Sequence, residues 1–133
     1  FYTGIEERVL ELTKHMGLNE RIWYSSFNHG TLDRIRRKNP AAQIGVLYSD
    51  GLYNPVEYAK NIGASALHPA IYNLRCPELK EKCCIQKMQL HPWTVNTKKD
   101  MSLCVKVGAQ AVITNYPDRA REWAESINKG EAG

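Results

Sequence analysis

Hydrophobic positions along the chain alternate between helical spacing and short continuous runs. Ile5, Val9, Leu12 and Met16 follow one another in steps of three or four residues, which predicts a first helix that ends at Gly17. Short apolar runs predict five strands, at residues 21–27, 43–48, 64–68, 88–95 and 110–114. The stretches between them are more polar and predict helices near residues 28–39, 54–63, 77–87, 97–107 and 117–127.

Residues that favour helix starts support these boundaries. Thr3 and Glu6 have the spacing of a capping box, and Asn54 is followed by proline at a first helical position. Asn28, and either Asn96 or Thr97, are the expected caps of two further helices. Pro92 lies within the fourth predicted strand and interrupts it, because proline has no N–H to donate.

The order of these elements predicts the fold class. Strands that alternate with helices form a parallel sheet with right-handed crossovers, either an open doubly wound sheet or part of a closed (β/α)8 barrel. A full barrel takes about 250 residues, whereas this chain has 133. Neither G-x-G-x-x-G nor G-x-x-x-x-G-K follows a predicted strand. The sequence therefore disfavours a nucleotide-binding open sheet.

Composition and charge narrow the function classes. The chain is 43% hydrophobic and 24% charged, as in an average globular domain, and we expect neither a membrane span nor a secretory leader. The net charge is only +4, and its densest basic run extends from Arg34 to Lys38. At helical spacing that run predicts a solvated outer helix face rather than a nucleic-acid surface. We expect a cytoplasmic location.

Four cysteines raise the question of zinc or disulfides. Their spacing does not match the paired ligands of a zinc site. We expect mostly buried, free thiols, with a local crosslink from Cys76 to Cys83 or Cys84 as the alternative; the four are Cys76, Cys83, Cys84 and Cys104.

Candidate chemistry lies where the predicted strands end, since the carboxyl ends of parallel strands meet at one edge of the sheet. His68 is the best-placed histidine, with a pocket role and a structural role both open. His91 is predicted to be structural, and His15 and His29 to lie at the surface. Asn28 and Asn96 are equally consistent with capping and with a site, while Asp50 fits a local turn. No paired carboxylates or metal-ligand cluster are evident.

Taken together, the segments at the strand ends resemble the C-terminal part of the glycerophosphodiester phosphodiesterase family. The resemblance extends from about Gly4 to Trp123 and is carried by the segments SSFN (25–28), IGVL (44–47), ALHP (66–69), WTVN (93–96) and VITNYP (112–117).

This resemblance implies that residues 1–127 form the C-terminal part of a TIM-type (β/α)8 barrel, with about five of its strands. Residues 128–133 are expected to be a frayed tail. The resemblance also implies hydrolysis of glycerophosphodiesters to an alcohol and glycerol 3-phosphate with a divalent cation, Ca²⁺ or Mg²⁺. The family's acid–base histidines and cation ligands precede the SSF strand, so this chain should hold no catalytic residue and no metal ligand. Four residues match the family's pocket mouth and are predicted to bind substrate: Phe27, His68, Trp93 and Asn96.

Five strands cannot close a barrel, so we expect the chain to be inactive alone and to pair with the missing N-terminal barrel half or with itself. A non-catalytic interaction or regulatory module derived from the same fold is the alternative. A phospholipase of the spider-toxin type is a third possibility, disfavoured by the free cysteines. Residues 73–87 are longer than a minimal family member needs and have no predicted role.

Overall fold

The structure, a computed structural model, describes residues 4–130. Its helices and strands alternate along the chain as the hydrophobic pattern predicts. In order they are α1 (Ile5–His15), β1 (Trp23–Ser26), α2 (His29–Lys38), β2 (Gln43–Tyr48), α3 (Pro55–Asn61), β3 (Ala66–Pro69), a 3-10 helix (Ile71–Arg75), α4 (Leu79–Gln86), β4 (Gln89–Leu90), α5 (Lys98–Val107) and α6 (Pro117–Asn128).

The strands form one parallel sheet in the order β1-β2-β3-β4, which confirms the predicted topology. One row of the register joins Ser25, Gly45, Ala66 and Gln89 across all four strands. Side chains alternate between the two faces of a strand. Residues two positions from this row, such as His68 and His91, therefore share its face.

The predicted fifth strand, at 110–114, is not a regular strand. It lies beside β4 and is held by three backbone hydrogen bonds, between Gln110 N and Leu90 O, Ile113 N and Pro92 O, and Val95 N and Ile113 O. Pro92 has no N–H to donate, so a continuous ladder cannot form here. β4 has only two residues, far fewer than the predicted 88–95, although His91 N and Trp93 N still donate to Leu67 O and Pro69 O of β3. Pro69 has no N–H to donate in return, so the regular ladder between β3 and β4 ends there.

The predicted helix at 77–87 begins later, at Leu79, and a 3-10 helix that the pattern did not indicate precedes it. Helix α6 ends at Asn128, one residue into the predicted tail. Residues 131–133 of that tail lie outside the described residues, as does Thr3 of the predicted capping box. Asn28 and Thr97 cap α2 and α5 through hydrogen bonds from Thr31 N and Asp100 N.

The hydrophobic core lies between the sheet and the helices that cover its convex face. Its largest fully buried side chains come from α2, the strands and the segment after β4, and include Leu32, Ile44, Val46, Leu67, Leu90 and Val95. Ile44, Gly45 and Val46 are buried in succession, so β2 is covered on both faces as its apolar run predicts. No helix among residues 4–130 has the length and hydrophobicity to cross a bilayer.

Helix α1 is attached to α2 by two ion pairs, Arg34 to Glu6 (2.7 Å) and Lys38 to Glu7 (2.6 Å). Apolar side chains of α1 and of the residue after it are exposed, with Ile5 at 39%, Leu12 at 57% and Met16 at 58%. An open groove of about 890 Å³ runs between α1, β1 and α2. The β1 side of the molecule therefore presents apolar surface of the kind that a further βα unit would cover.

Candidate functional site

The sheet curls strongly enough for side chains of its two outer strands to meet on the concave face. The ring of Trp23 in β1 packs edge-on to His91, which follows β4, with 4.9 Å between centroids. Phe27, directly after β1, contacts Trp93 in the same edge-to-face manner at 5.8 Å and 82°. β2 and β3 lie between these strands. Such curvature is what a segment of a barrel wall requires.

A chain of hydrogen bonds crosses the concave face from β1 to β4. Ser25 Oγ lies 2.7 Å from His68 Nδ1, His68 Nε2 lies 3.0 Å from His91 Nδ1, and His91 Nε2 lies 2.8 Å from Gln89 Oε1. An amide oxygen can only accept, so His91 Nε2 carries the proton. His91 Nδ1 then accepts from His68, and His68 Nδ1 accepts from the Ser25 hydroxyl. Both imidazoles are thus neutral with every ring nitrogen paired.

Gly45 provides the space for this chain. A Cβ at position 45 would lie 2.2 Å from His68 Nε2, 2.4 Å from Cε1 and 2.6 Å from Cδ2. These distances are far inside van der Waals contact, so only glycine fits beneath the ring. The imidazole of His68, itself 4% exposed, is therefore held between the backbone of β2 and the hydrogen bonds at its two nitrogens.

Burial makes both histidines poor proton acceptors. Burial, and secondarily the neighbouring His91, lowers the pKa of His68 from 6.5 to about 4. Burial also lowers the pKa of His91. Near neutral pH the pair therefore provides no positive charge for a phosphate and does not have the pKa of an efficient general acid.

Trp93 lies next to this chain of hydrogen bonds and is held by two hydrogen bonds of its own. Its indole N–H donates to the backbone oxygen of His68 (2.8 Å), and its backbone oxygen accepts from Ile71 N (2.6 Å). Phe27, in contact with it, is 60% exposed. Together they form an aromatic surface at the carboxyl end of the sheet that is rigid at Trp93 and open to solvent at Phe27.

Asn96 lies on the neighbouring segment, with its amide orientation set by two donors. Its Oδ1 accepts from Thr114 Oγ1 (3.3 Å) and from Asn115 N (3.0 Å). It is not a helix cap, because Thr97 caps α5. In the described part of the chain, its Nδ2 donors have no hydrogen-bond partner and are available to a ligand.

Of the four predicted site residues, the structure thus brings Phe27 and Trp93 into ring contact and joins His68 to Trp93 by a hydrogen bond from the indole N–H to the backbone oxygen. Asn96 bonds instead to the 110–114 segment. Sequence reasoning missed the parts played by Ser25, Gly45 and Gln89. The two-residue spacing of Gln89, His91 and Trp93 was the available signal, since strand residues two apart share a face.

The prediction that His29 lies at the surface is wrong. It is half-buried, with Nδ1 2.7 Å from the Tyr58 hydroxyl and Nε2 donating to Leu47 O (2.9 Å). As the first residue of α2 it lies next to β2 and α3, so Leu47 O and the Tyr58 hydroxyl occupy both ring nitrogens as hydrogen-bond partners. His15 is exposed, as predicted, and His91 is buried and fully hydrogen-bonded.

The basic run of α2 lies on an outer helix face, as predicted, and most of its charges are paired, which the sequence did not indicate. Arg37 pairs with Asp33 within the helix, Arg34 and Lys38 pair with α1, and Arg36 donates to Pro40 O.

The four thiols are free but only half of them are buried, which corrects the expectation of mostly buried cysteines. The buried two are Cys83 and Cys104, and the exposed two are Cys76 and Cys84.

Comparison with known proteins places these features in a family. Residues 3–119 match the model of the glycerophosphoryl diester phosphodiesterase family. A glycerophosphodiester phosphodiesterase of Caldanaerobacter subterraneus subsp. tengcongensis is 39% identical over 117 residues, covering 88% of this chain and 48% of the relative. One of Bacillus altitudinis is 32% identical over 127 residues, covering 95% and 52%. The chain spans about half the length of these curated relatives.

Solved structures agree on the fold. A glycerophosphodiester phosphodiesterase of Parabacteroides distasonis superposes with a TM-score of 0.82 at 24% identity, over 92% of this chain and 51% of that one. An Oleispira antarctica phosphodiesterase in complex with the product sn-glycerol-3-phosphate superposes with a TM-score of 0.76 at 17% identity, over 91% and 50%. The curled parallel sheet is accordingly part of a TIM-type barrel, as predicted. The chain belongs to the glycerophosphoryl diester phosphodiesterase family.

Proposed function

We propose that this chain forms the substrate-binding wall of a metal-dependent glycerophosphodiester phosphodiesterase that releases an alcohol and glycerol 3-phosphate. The observation that carries the proposal is the Phe27–Trp93 ring pair at the carboxyl end of a family barrel sheet. Chemistry in such barrels takes place at that end. The two rings would exclude water and pack against the CH and CH₂ groups of the diester. Asn96 Nδ2 would donate to one of its oxygens.

A divalent cation is implied by the family, but the residues described here do not fit one. No group of three or more histidine, cysteine, aspartate or glutamate residues that could hold a metal occurs within 4–130. The polar groups of the concave face are imidazole nitrogens, a hydroxyl and an amide, already bonded to one another. Ca²⁺ and Mg²⁺ prefer carboxylate and carbonyl oxygens. The cation and the acid–base groups would therefore come from polypeptide outside this chain.

The groove beside β1 is where that polypeptide would attach. Ile5 and Val9 of α1 line this groove, Ile5 with 39% of its surface exposed, and β1 is an unpaired sheet edge in the described part of the chain. An open parallel edge next to apolar surface favours addition of further βα units. Self-association through the same edge is the alternative and would accompany a non-catalytic role.

Split-protein complementation tests the proposal. The N-terminal half of the Caldanaerobacter enzyme, through its first three barrel strands, is expressed separately and mixed with this chain, and glycerol 3-phosphate release is followed with Mg²⁺, with Ca²⁺ and with EDTA. We expect no turnover from either part alone and cation-dependent turnover from the mixture. Turnover by this chain alone would refute the proposed division of roles. A stable homo-oligomer that is inactive and does not bind the added N-terminal half would favour the non-catalytic alternative.

A further inference from the structure

Among residues 4–130, the exposed aromatic side chains all lie at one end of the sheet. Within residues 4–130 the exposed ones are Phe27 at 60%, Tyr53 at 89%, Tyr72 at 52% and Tyr116 at 45%. Each lies between the end of a strand, or of the 110–114 segment, and the next α-helix, with Tyr72 in the 3-10 helix that precedes α4. Trp93 occupies the same position after β4. One aromatic residue therefore stands in every such connection, and we name this set the aromatic rim: Phe27, Tyr53, Tyr72, Trp93 and Tyr116.

The rim extends beyond the Phe27–Trp93 pair. Phe27 and Trp93 pair across the concave face, whereas Tyr53 is almost fully exposed and follows a different strand. Tyr72 is held in place, with its hydroxyl 2.8 Å from Ser49 Oγ in the preceding connection. A ligand in the pocket could cover the ring pair but not the whole rim, so the outer tyrosines indicate a flat partner.

Cationic side chains accompany the rim. Arg75 follows Tyr72 by three residues, Lys99 lies in the first turn of α5, and the guanidinium carbon of Arg119 is 5.2 Å from the ring centroid of Tyr116. All three are exposed, and none is in an ion pair within the described residues. Exposed acidic residues at this end are Asp50, Glu78 and, in the first turn of α6, Asp118; Glu78 is paired with Lys82.

Tyrosine and tryptophan, with an apolar ring and a polar tip, are enriched where bilayer meets water, and lysine and arginine are attracted to anionic lipid headgroups. We propose that the aromatic rim docks this end of the barrel on an anionic phospholipid bilayer. The rings would enter the headgroup region, and the three cations would contact lipid phosphates. The inference does not depend on the proposed hydrolysis, because it concerns adsorption only.

Vesicle co-sedimentation of the full chain tests this docking. Vesicles of phosphatidylglycerol and phosphatidylcholine are compared with vesicles of phosphatidylcholine alone, using the wild type, Tyr53→Ser/Tyr72→Ser, Lys99→Gln and Arg119→Gln. Ile85→Ser, at an exposed apolar position on α4 away from the rim, is the matched control, and circular dichroism verifies the fold of each variant. All variants share the same open sheet edge, so binding through that edge cancels in the comparison.

We expect the chain to prefer the anionic vesicles and to bind them less tightly as salt rises. Each lysine or arginine change should weaken binding roughly fivefold, the effect typical of one cation near an anionic membrane. The double tyrosine variant should lose most binding, and Ile85→Ser should match the wild type. Absence of binding, equal binding to both vesicle types, or an Ile85→Ser loss as large as the rim losses would each overturn the proposal.

Discussion

Replacing Gly45 by alanine tests the packing of the concave face. The added methyl would lie 2.2 Å from His68 Nε2, so the imidazole must move. It cannot move without breaking its hydrogen bonds to Ser25 and His91. Overpacking of this kind costs about 1–3 kcal/mol, and each lost hydrogen bond about 1 kcal/mol. We expect Gly45→Ala to lower the free energy of unfolding by about 3–5 kcal/mol.

Urea unfolding followed by tryptophan fluorescence measures this loss. Gly51→Ala is the matched control, because no atom lies within 4 Å of its added methyl, and its effect should stay within about 0.5 kcal/mol. In a His68→Ala background the clash disappears, so adding Gly45→Ala should cost little further, giving a large coupling energy between the two positions. Equal effects of Gly45→Ala and Gly51→Ala, or additive effects of Gly45→Ala and His68→Ala, would refute this account of the packing.

Three further predictions concern protonation, capping and thiol access. The folded-state pKa of His68, about 4, lies below the ordinary 6.5, so the unfolded state binds the proton first as pH falls. The free energy of unfolding should therefore drop by about 2 kcal/mol between pH 7.5 and pH 5, and by less in His68→Gln. The same dependence of the unfolding free energy on pH in the wild type and in His68→Gln would contradict the assignment. Thr97→Ala should destabilise by about 1 kcal/mol, because α5 loses the acceptor for Asp100 N, while Thr97→Ser should keep stability; equal unfolding midpoints for the two variants would argue against the cap. With a thiol reagent at pH 8 two cysteines should react quickly and two only on unfolding, since burial raises the pKa of the latter to about 11 and about 12; four equal rates would disprove the assigned burial of Cys83 and Cys104.

The sequence predicted the order of elements well because hydrophobic periodicity and caps are local signals. The run at 43–48 and the cap at Asn28 appear in the structure where expected. The fifth strand was less predictable, because its pairing depends on Pro92 in a neighbouring segment rather than on its own residues.

The candidate site was predictable only in part. Phe27 and Trp93 stand out by their positions at strand ends. The bond between His68 and His91 depends on sheet curvature and on the missing side chain of Gly45, neither of which sequence spacing encodes. His29 was mistaken for a surface residue because its partners, Tyr58 and Leu47, belong to other elements.

Steady-state kinetics of the complemented enzyme with Trp93→Ala tests most directly the claim that this chain provides the substrate wall and not the catalytic groups. We expect a KM raised at least about tenfold, with a smaller change in kcat, since removal of binding common to ground and transition states raises KM alone. Ile85→Val, conservative and at an exposed position of α4 remote from the wall, should leave both constants unchanged. A kcat reduced by orders of magnitude at unchanged KM would place Trp93 in the chemical step and contradict the account.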